Sequence, residues 1–312
     1  MLLSVVICSY NRREHLVAAV GTVLEQTGEY ELVVVDNRST DGTAAAMAEI
    51  VCEHPQVRYL YEERPGLAVA RNTGWRAATG SYIAFLDDDA RVGPEWLETA
   101  TALLERETVG LQCLGGPIHP FYTSPKPEWW QDSYEIRTRG DVERHLNRGE
   151  SFSGSNMIWR REALETYGGF DASAGMKGEQ LGMGEETALF RRVWDGESAP
   201  VFLYSPTLRV YHWVPPEKMT MTYILKRATA NGQFEARFAL SQVAGVGGRL
   251  RLVGSALRTV ALELPRVLLK RRHYRRTQNW YFEHCFIPIQ HVSTLLRLLG
   301  VRISVSQREA TS

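Results

Sequence analysis

The chain has 312 residues, enough for one large α/β domain or for a domain of about 230 residues with an appendage. Its 36 basic and 36 acidic residues cancel, which argues against a general nucleic-acid-binding protein. The charge is unevenly placed, because residues 237–312 contain 13 Lys/Arg and 3 Asp/Glu, a net charge of +10. Residues 1–236 therefore carry the compensating −10.

Cysteine usage and hydropathy indicate a cytoplasmic protein. The four cysteines are scattered without paired metal-ligand spacing, which is typical of reduced residues. The apolar start runs directly into polar residues without a basic leader or a small-residue cleavage site, so we interpret it as a strand rather than a signal peptide. No stretch approaches the ~20 apolar residues that a bilayer span needs, so any membrane contact is expected to be peripheral.

The first part of the chain repeats a strand-then-helix pattern four times. Apolar runs at 2–7, 32–35, 57–61 and 82–86 predict the strands. The inner faces of the four helices are predicted to be Leu16, Val20, Val23 and Leu24; Ala44, Met47, Ala48 and Val51; Leu67, Ala70, Gly74, Ala77 and Ala78; and Leu97, Ala100, Leu103 and Leu104. Successive β-α units of this kind predict an α/β, Rossmann-like fold with a mostly parallel sheet flanked by helices.

Polar side chains follow three of these strands at the point where each strand ends. They are Ser9, Tyr10 and Asn11; Asp36 and Asn37; and Asp87, Asp88 and Asp89. Each group alone is as typical of turns and helix caps as of a ligand site. Because the carboxyl ends of parallel strands meet at one edge of a sheet, the three groups together favour a nucleotide site.

The three consecutive aspartates are expected to divide their roles. Side chains two apart on a strand point the same way, so Asp87 and Asp89 can converge on one cation while Asp88 turns aside. No glycine-rich dinucleotide fingerprint or P-loop is present, which disfavours a nicotinamide enzyme or an NTPase.

Past residue 110 the β-α rhythm stops, and residues 115–150 predict a long irregular loop that contains Trp129 and Trp130. Either the two indoles stack on a sugar of an acceptor, or they pin the loop by packing. Glu185 and Glu186 lie at the start of a predicted helix, where acidic residues commonly interact favourably with the positive end of the helix dipole. A lone histidine such as His212 is usually a packed or surface residue, unless a site nearby lacks a neutral ligand.

Five stretches carry a resemblance to a known family. In chain order they are VVICSYNR, VVVDNRSTDGT, GLAVARNTGWRAATGSYIAFLDDDA, GSNMIWRREALETYGGFD and GEETALFRRV. Across residues 2–236 the chain resembles a family 2 glycosyltransferase, an enzyme with the GT-A fold of nucleotide-diphospho-sugar transferases. The resemblance implies one GT-A domain at 1–236, with a nucleotide-binding half at 1–110 and an acceptor and catalytic half at 111–236.

The resemblance also implies a donor-binding set. Tyr10 and Asp36 would hold the nucleotide base with Ser9 and Asn11 nearby. Arg71 would approach the base or the diphosphate, and Asp87 would touch the ribose. Asp89, the last carboxylate of the DXD motif, would bind Mn²⁺ or Mg²⁺ together with His212.

The catalytic base implied by the family pattern falls on Glu186, where the family has aspartate. Glu185 remains an alternative at this point. The implied reaction is an inverting, metal-dependent transfer of a sugar from a UDP-sugar, or less commonly a GDP- or dTDP-sugar, to a glycan or lipid-linked acceptor. The alternative is a non-catalytic sugar-nucleotide or glycan-binding module on the same fold. A sugar-nucleotide pyrophosphorylase is disfavoured because SYNRRE replaces its glycine-rich and basic first loop.

Residues 237–312 lie outside the resemblance and predict a basic, helical C-terminal extension. Apolar residues recur at helical spacing between arginines, and KRRHYRR at 270–276 concentrates positive charge. One interpretation is a solvated appendage or an arm for homodimerisation. The other interpretation is peripheral binding to an anionic membrane, which would suit an acceptor attached to a membrane lipid.

Overall fold

The computed structural model describes residues 2–107, 110–176, 182 and 184–305. These residues form two compact units. The first comprises the described parts of Met1–Phe121, Asp132–Ser173 and Glu185–Trp213, and the second those of Tyr122–Gln131, Ala174–Gly184 and Val214–Ser312.

The four predicted β-α units are present in the first unit, which confirms the α/β fold class. In chain order they comprise β1 (Leu3–Ser9), α1 (Arg13–Leu24), β2 (Tyr30–Asp36), α2 (Thr43–Glu53), β3 (Val57–Tyr61), α3 (Leu67–Ala77), β4 (Tyr82–Asp87), the short β5 (Ala90–Val92) and α4 (Trp96–Arg106). Every residue of β1 and β2 is buried, as expected for strands covered on both faces.

Within its described residues, the rest of the first unit adds six strands and two helices. They are β6 (Leu111–Gly115), β7 (Ile118–Phe121), β8 (Arg144–His145), β9 (Met157–Arg160), α5 (Arg161–Tyr167), α6 (Glu185–Gly196), β10 (Val201–Tyr204) and β11 (Val210–Trp213). The predicted irregular stretch 115–150 thus contributes two short strands, β7 and β8, and a 3-10 turn at Asp132–Tyr134.

The main sheet has eight strands in the order β3-β2-β1-β4-β9-β6-β10-β8. β9 lies antiparallel between β4 and β6, whereas β1 to β4 pair in parallel. A second sheet has the order β5-β11-β7. β9 therefore interrupts the parallel sheet at its centre and brings the residues before it to the carboxyl end of β4.

Helices cover both faces of the main sheet. α3 approaches β1 and β2 so closely that a side chain at Gly74 would collide with Val6, which explains why this inward position carries glycine. The predicted inner face of α2 is partly wrong: Met47 is buried, but Ala44 and Ala48 are exposed, and Thr43 faces inward instead. Alanines of α2 lie on several sides of the helix, so their spacing could not indicate which side is buried.

The second unit contains the predicted basic helical extension. Its helices are α7 (Met221–Ser241), α8 (Gly245–Lys270), α9 (Thr277–Trp280) and α10 (Phe286–Leu298). α7 and α10 pack closely, since a side chain at Gly232 would collide with the carbonyl oxygen of Gln290. Within the described residues, no helix is both long and apolar enough to cross a bilayer.

Candidate active site

The acidic cluster lies at the junction of the two sheets of the first unit. β4 ends at Asp87, and β5 begins at Ala90. β11 pairs antiparallel with β5 and places His212 opposite Ala90. The backbone N–H of Trp213 donates to the carbonyl oxygen of Asp89 at 2.9 Å. Strand pairing therefore fixes a histidine from late in the chain beside the aspartates.

Asp87, Asp89 and His212 form a group that could hold a metal ion, with one ligand atom from each residue within 4.8 Å of the others. The Nε2 atom of His212 lies 3.1 Å from Oδ1 of Asp89 and 3.7 Å from Oδ2 of Asp87. Asp87, to which the resemblance gives a ribose contact, thus lies among the candidate metal ligands as well. The predicted convergence of Asp87 and Asp89 is matched by this geometry.

The orientation of the His212 ring suits a metal ligand. Its Nδ1 atom lies 2.9 Å from the carbonyl oxygen of Trp213, which can only accept, so Nδ1 carries the hydrogen. In the neutral ring, Nε2 then presents its lone pair to the carboxylates. Two acceptors at this distance need a proton or a metal ion between them, and carboxylates suit Mn²⁺ and Mg²⁺, so the donor set fits the predicted ion.

Asp88 turns away from this group, as expected, and has partners of its own. Ser9 Oγ donates to Asp88 Oδ2 at 2.7 Å. Arg12 lies 2.6 Å from Asp89 Oδ2 and 3.5 Å from Asp88 Oδ1. Burial raises the pKa of Asp88 to about 7 although the charge of Arg12 opposes this change. Arg12 was not among the predicted site residues; its only signal is its position directly after the SYN segment.

Arg71, on α3, lies among three carboxylates and is only 3 % exposed. Its guanidinium is 3.0 Å from Asp87 Oδ1, 3.1 Å from Glu185 Oε1 and 3.1 Å from Glu186 Oε1. Burial alone would raise the pKa of Asp87, but a hydrogen bond from His212 in its protonated form and the charge of Arg71 outweigh it and hold that pKa well below its usual range. One arginine thus joins the candidate metal group to the two candidate bases.

The two glutamates at the start of α6 differ in their surroundings. Glu185 is 4 % exposed, and burial together with the charge of Glu186 raises its pKa to about 8. The Glu186 side chain is 20 % exposed. Of the two carboxylates, Glu186 is therefore the more accessible to a substrate hydroxyl.

The segment before β9 lines the same group of side chains and was not predicted to do so. Ser155 Oγ donates to Asp87 Oδ2. A side chain at Gly154 would collide with the guanidinium of Arg71 and with Oε1 of Glu186. Both residues lie in the GSN motif, which contributed to the family resemblance but to which no contact was assigned from the sequence.

The predicted base-binding residues lie at the ends of β1 and β2. Tyr10 is exposed, whereas Asp36 is buried and accepts hydrogen bonds at both carboxylate oxygens, from the Ser39 N–H and the Tyr59 hydroxyl, each at 2.7 Å. Asn11 adopts a left-handed conformation with φ of 52°, and its N–H donates to Ser39 Oγ at 2.9 Å. Asp36 therefore organises the loop after β2, and Tyr59 is a partner that the sequence did not indicate.

The two predicted acceptor tryptophans belong to the second unit. Trp130 is buried, donates from its indole N–H to the Tyr122 hydroxyl at 2.9 Å and packs edge-on against Phe282 at 5.7 Å. Asn279 donates to the carbonyl oxygen of Trp129 at 2.6 Å. These contacts correspond to the packing interpretation of the pair; a contact with acceptor stays a prediction.

Comparison with known proteins gives a consistent result. The family model described as glycosyl transferase family 2 matches residues 4–168, just over half of the chain. A glucosyl-dolichyl phosphate glucuronosyltransferase of Haloferax volcanii is 28% identical over 219 residues, which cover 68% of this chain and 69% of that protein. The succinoglycan biosynthesis protein ExoM of Rhizobium meliloti is 27% identical over 251 residues, covering 77% of this chain and 76% of that protein.

A similar solved structure supports the fold. The mannosyltransferase PcManGT from Pyrobaculum calidifontis, in complex with GDP-Man and Mn²⁺, superposes with a TM-score of 0.62 at 18% identity and covers 95% of this chain and 87% of its own. At this identity the likeness concerns the fold, which is that of the GT-A glycosyltransferases.

Proposed function

The chain belongs to glycosyl transferase family 2, and from this premise we propose that it transfers a sugar from a nucleotide-diphospho-sugar, with inversion and with the help of a divalent cation. The observation that carries this proposal is the position of Arg71, which contacts a carboxylate of the candidate metal group and the carboxylate of Glu186 at once. That arrangement sets a proton acceptor beside the place where the donor diphosphate would lie.

The donor half of the proposal rests on the first two strand ends and the acidic cluster. Exposed Tyr10 would contact the base, and Asp36 would hold the loop that shapes the base site. Asp89 and His212, with Asp87 beside them, would hold Mn²⁺ or Mg²⁺, which when bound neutralises charge on the departing nucleoside diphosphate. A UDP-sugar is the first donor to test, followed by GDP- and dTDP-sugars.

In the proposed reaction Glu186 takes the proton of the acceptor hydroxyl. The hydroxyl oxygen attacks the anomeric carbon, and the bond from that carbon to the diphosphate oxygen breaks on the opposite side, which inverts the configuration. Arg71 fixes the direction of the Glu186 carboxylate. Glu185 is the weaker candidate, since it is buried and its raised pKa of about 8 keeps it protonated near neutrality.

We propose a glycan or lipid-linked acceptor. Support comes from the relatives, one named for transfer to glucosyl-dolichyl phosphate and one for succinoglycan biosynthesis. Trp129 stays a proposed acceptor contact, because this residue is half-buried whereas Trp130 is buried.

The test compares two isosteric variants of neighbouring residues. Nucleoside diphosphate release is measured with Mn²⁺ across a panel of donors and acceptors. Glu186→Gln should lower turnover by about 10²- to 10⁴-fold with little change in donor affinity, because only the proton acceptor is lost. Glu185→Gln, the matched control, should retain most of the activity.

Two further outcomes decide between the parts of the proposal. A Glu186→Gln protein as active as the wild type would remove the assignment of the base. If isothermal titration shows metal-dependent UDP binding but no acceptor is ever glycosylated, the chain is a sugar-nucleotide-binding module. If Asp89→Ala leaves Mn²⁺-dependent UDP binding unchanged, the metal group is wrongly placed.

A further inference from the structure

α8 presents a row of large apolar side chains to solvent. Val246, Leu250, Leu257, Leu264 and Leu268 are 50% to 74% exposed. Their spacings of four, seven, seven and four residues place them along one side of a helix. We call these five residues the α8 stripe. Exposed apolar residues on a soluble surface are normally scattered, so a continuous row of this length indicates a binding surface.

The side of α8 that adjoins the stripe is held by the rest of the second unit. Leu252, Val260 and Val267 are half-buried there. The indole N–H of Trp280 donates to the carbonyl oxygen of Val267 at 2.9 Å, and His291 lies 3.1 Å from Glu263. Because the inner side of the helix is anchored, the α8 stripe faces outward as part of the folded unit.

Positive charge accompanies the stripe. The exposed basic residues of α8 are Arg249, Arg251, Arg258, Arg266 and Lys270. The single acidic residue of this helix, Glu263, lies on the anchored side beside His291. Arg251 and Arg258 are seven residues apart and flank the stripe along its length. A partner for this surface must therefore be apolar along the middle and negatively charged at the sides.

We propose that the α8 stripe binds the surface of an anionic lipid bilayer, with α8 lying in the plane of the interface. The leucines would enter the boundary between headgroups and acyl chains, and the arginines would meet the lipid phosphates. A spanning orientation is disfavoured because α8 carries six charged residues.

A second copy of the chain fits this surface less well. A two-fold contact through the stripe would bring the arginines of one α8 beside those of the other, and the acid that could answer them lies on the opposite side of the helix. The bilayer proposal stands independently of which sugar is transferred, since it concerns binding and not catalysis.

Co-sedimentation of the full-length chain with vesicles tests the proposal. The vesicles are phosphatidylcholine alone, or phosphatidylcholine with about one quarter phosphatidylglycerol, at low and high salt. The wild type should bind the anionic vesicles at least tenfold more tightly than the neutral ones. The double variant Leu257→Asn with Leu264→Asn should lose about tenfold or more of that affinity. Val142→Asn, at a still more exposed apolar residue of the first unit, is the control and should bind as the wild type does.

A second pair of variants separates charge from burial. Arg251→Gln with Arg258→Gln should weaken binding to the anionic vesicles by about tenfold and reduce its dependence on salt. Equal binding of the wild type to both vesicle types would overturn the proposal, as would full binding by the double leucine variant. Analytical ultracentrifugation supplies the competing result: a wild-type dimer that the leucine variant dissociates, without vesicle binding, would assign the stripe to a second copy.

Discussion

Charged residues are treated in opposite ways in the two units of this protein. In the first unit Arg71 is buried against three carboxylates, and Arg12 pairs with two aspartates. On α8, in the second unit, Arg251 and Arg258 are exposed beside exposed leucines. Buried charges are costly unless each is compensated, whereas exposed charges impose little cost on the fold.

This contrast separates two kinds of binding surface. The acidic site is organised by contacts within the chain, so its ligand must replace or extend an existing network. The acidic residue of α8, Glu263, pairs with His291 and not with the arginines beside the α8 stripe. A partner of the stripe therefore supplies both the apolar contact and the negative charge. Substitutions in the two places should consequently affect stability very differently.

Removing a buried arginine should have the largest effect on stability. Arg71→Met leaves Asp87, Glu185 and Glu186 close together without their shared cation, so we expect a loss of about 3–5 kcal/mol in the free energy of unfolding. Arg258→Met, at an exposed position, should change that free energy by less than about 0.5 kcal/mol. Urea titrations in EDTA measure both. Equal losses in the two variants would mean that the contrast between the units is not energetic.

Adding a methyl group should lower turnover at Gly154 but raise stability at Gly254. Gly154→Ala places Cβ against Arg71 and Glu186, so these side chains must shift and turnover should fall by about tenfold. Gly254, inside α8, has open space around it, and Gly254→Ala should stabilise the helix by about 0.5–1 kcal/mol. Steady-state kinetics and thermal melts are compared for both variants. Unchanged turnover in Gly154→Ala would show that the side chains of Arg71 and Glu186 can shift without loss of activity.

The raised pKa of Glu185 should produce a pH dependence of stability. Its pKa is about 8 in the folded chain against an ordinary value of 4.5, so unfolding between these values releases a proton and wild-type stability falls as pH rises. Glu185→Gln removes this slope, so its Tm relative to the wild type should increase by several degrees from about pH 5 to about pH 8. The measurement is a series of melts in EDTA.

A carboxylate with the opposite shift provides the control for that experiment. The hydrogen bond from Arg144 lowers the pKa of Glu150 to about 2, so Glu150 is ionised in the folded state and mostly ionised in the unfolded state throughout this range. Glu150→Gln should therefore cost the same stability at pH 5 as at about pH 8. A Tm difference for Glu185→Gln that does not change with pH would show that Glu185 is ionised in the folded protein.

Much of the parallel sheet could be predicted because each strand is a short apolar run that ends in polar residues. The position of β9 could not be predicted. Residues 157–160 form a short apolar run that ends in Arg160, but an antiparallel insertion between β4 and β6 is decided by long-range pairing, which local sequence pattern does not indicate. Ser155 and Gly154 reach the site only through this insertion.

The candidate site was predictable to the extent that its residues lie at strand ends. The convergence of Asp87 and Asp89 was expected from the alternation of side chains along a strand, but β4 ends at Asp87 and Asp89 lies in the turn before β5. His212 depended on the resemblance, since a lone histidine is usually a packed or surface residue. Arg12 could not be assigned from pattern, because an arginine after a strand is usually solvated. The burial of Glu185 was equally hidden, since an acidic residue on a first helical turn is ordinary.

β9 also has a consequence for the synthesis of the protein. It covers the edge of β4 by pairing Met157–Arg160 with Tyr82–Phe85. When only about the first 110 residues have emerged from the ribosome, β1 to β4 can associate, but that edge of β4 has no partner and can pair with other nascent chains. The same segment that brings Gly154 and Ser155 to the site ends this hazard, whereas Glu186 and His212 join the site only later in synthesis.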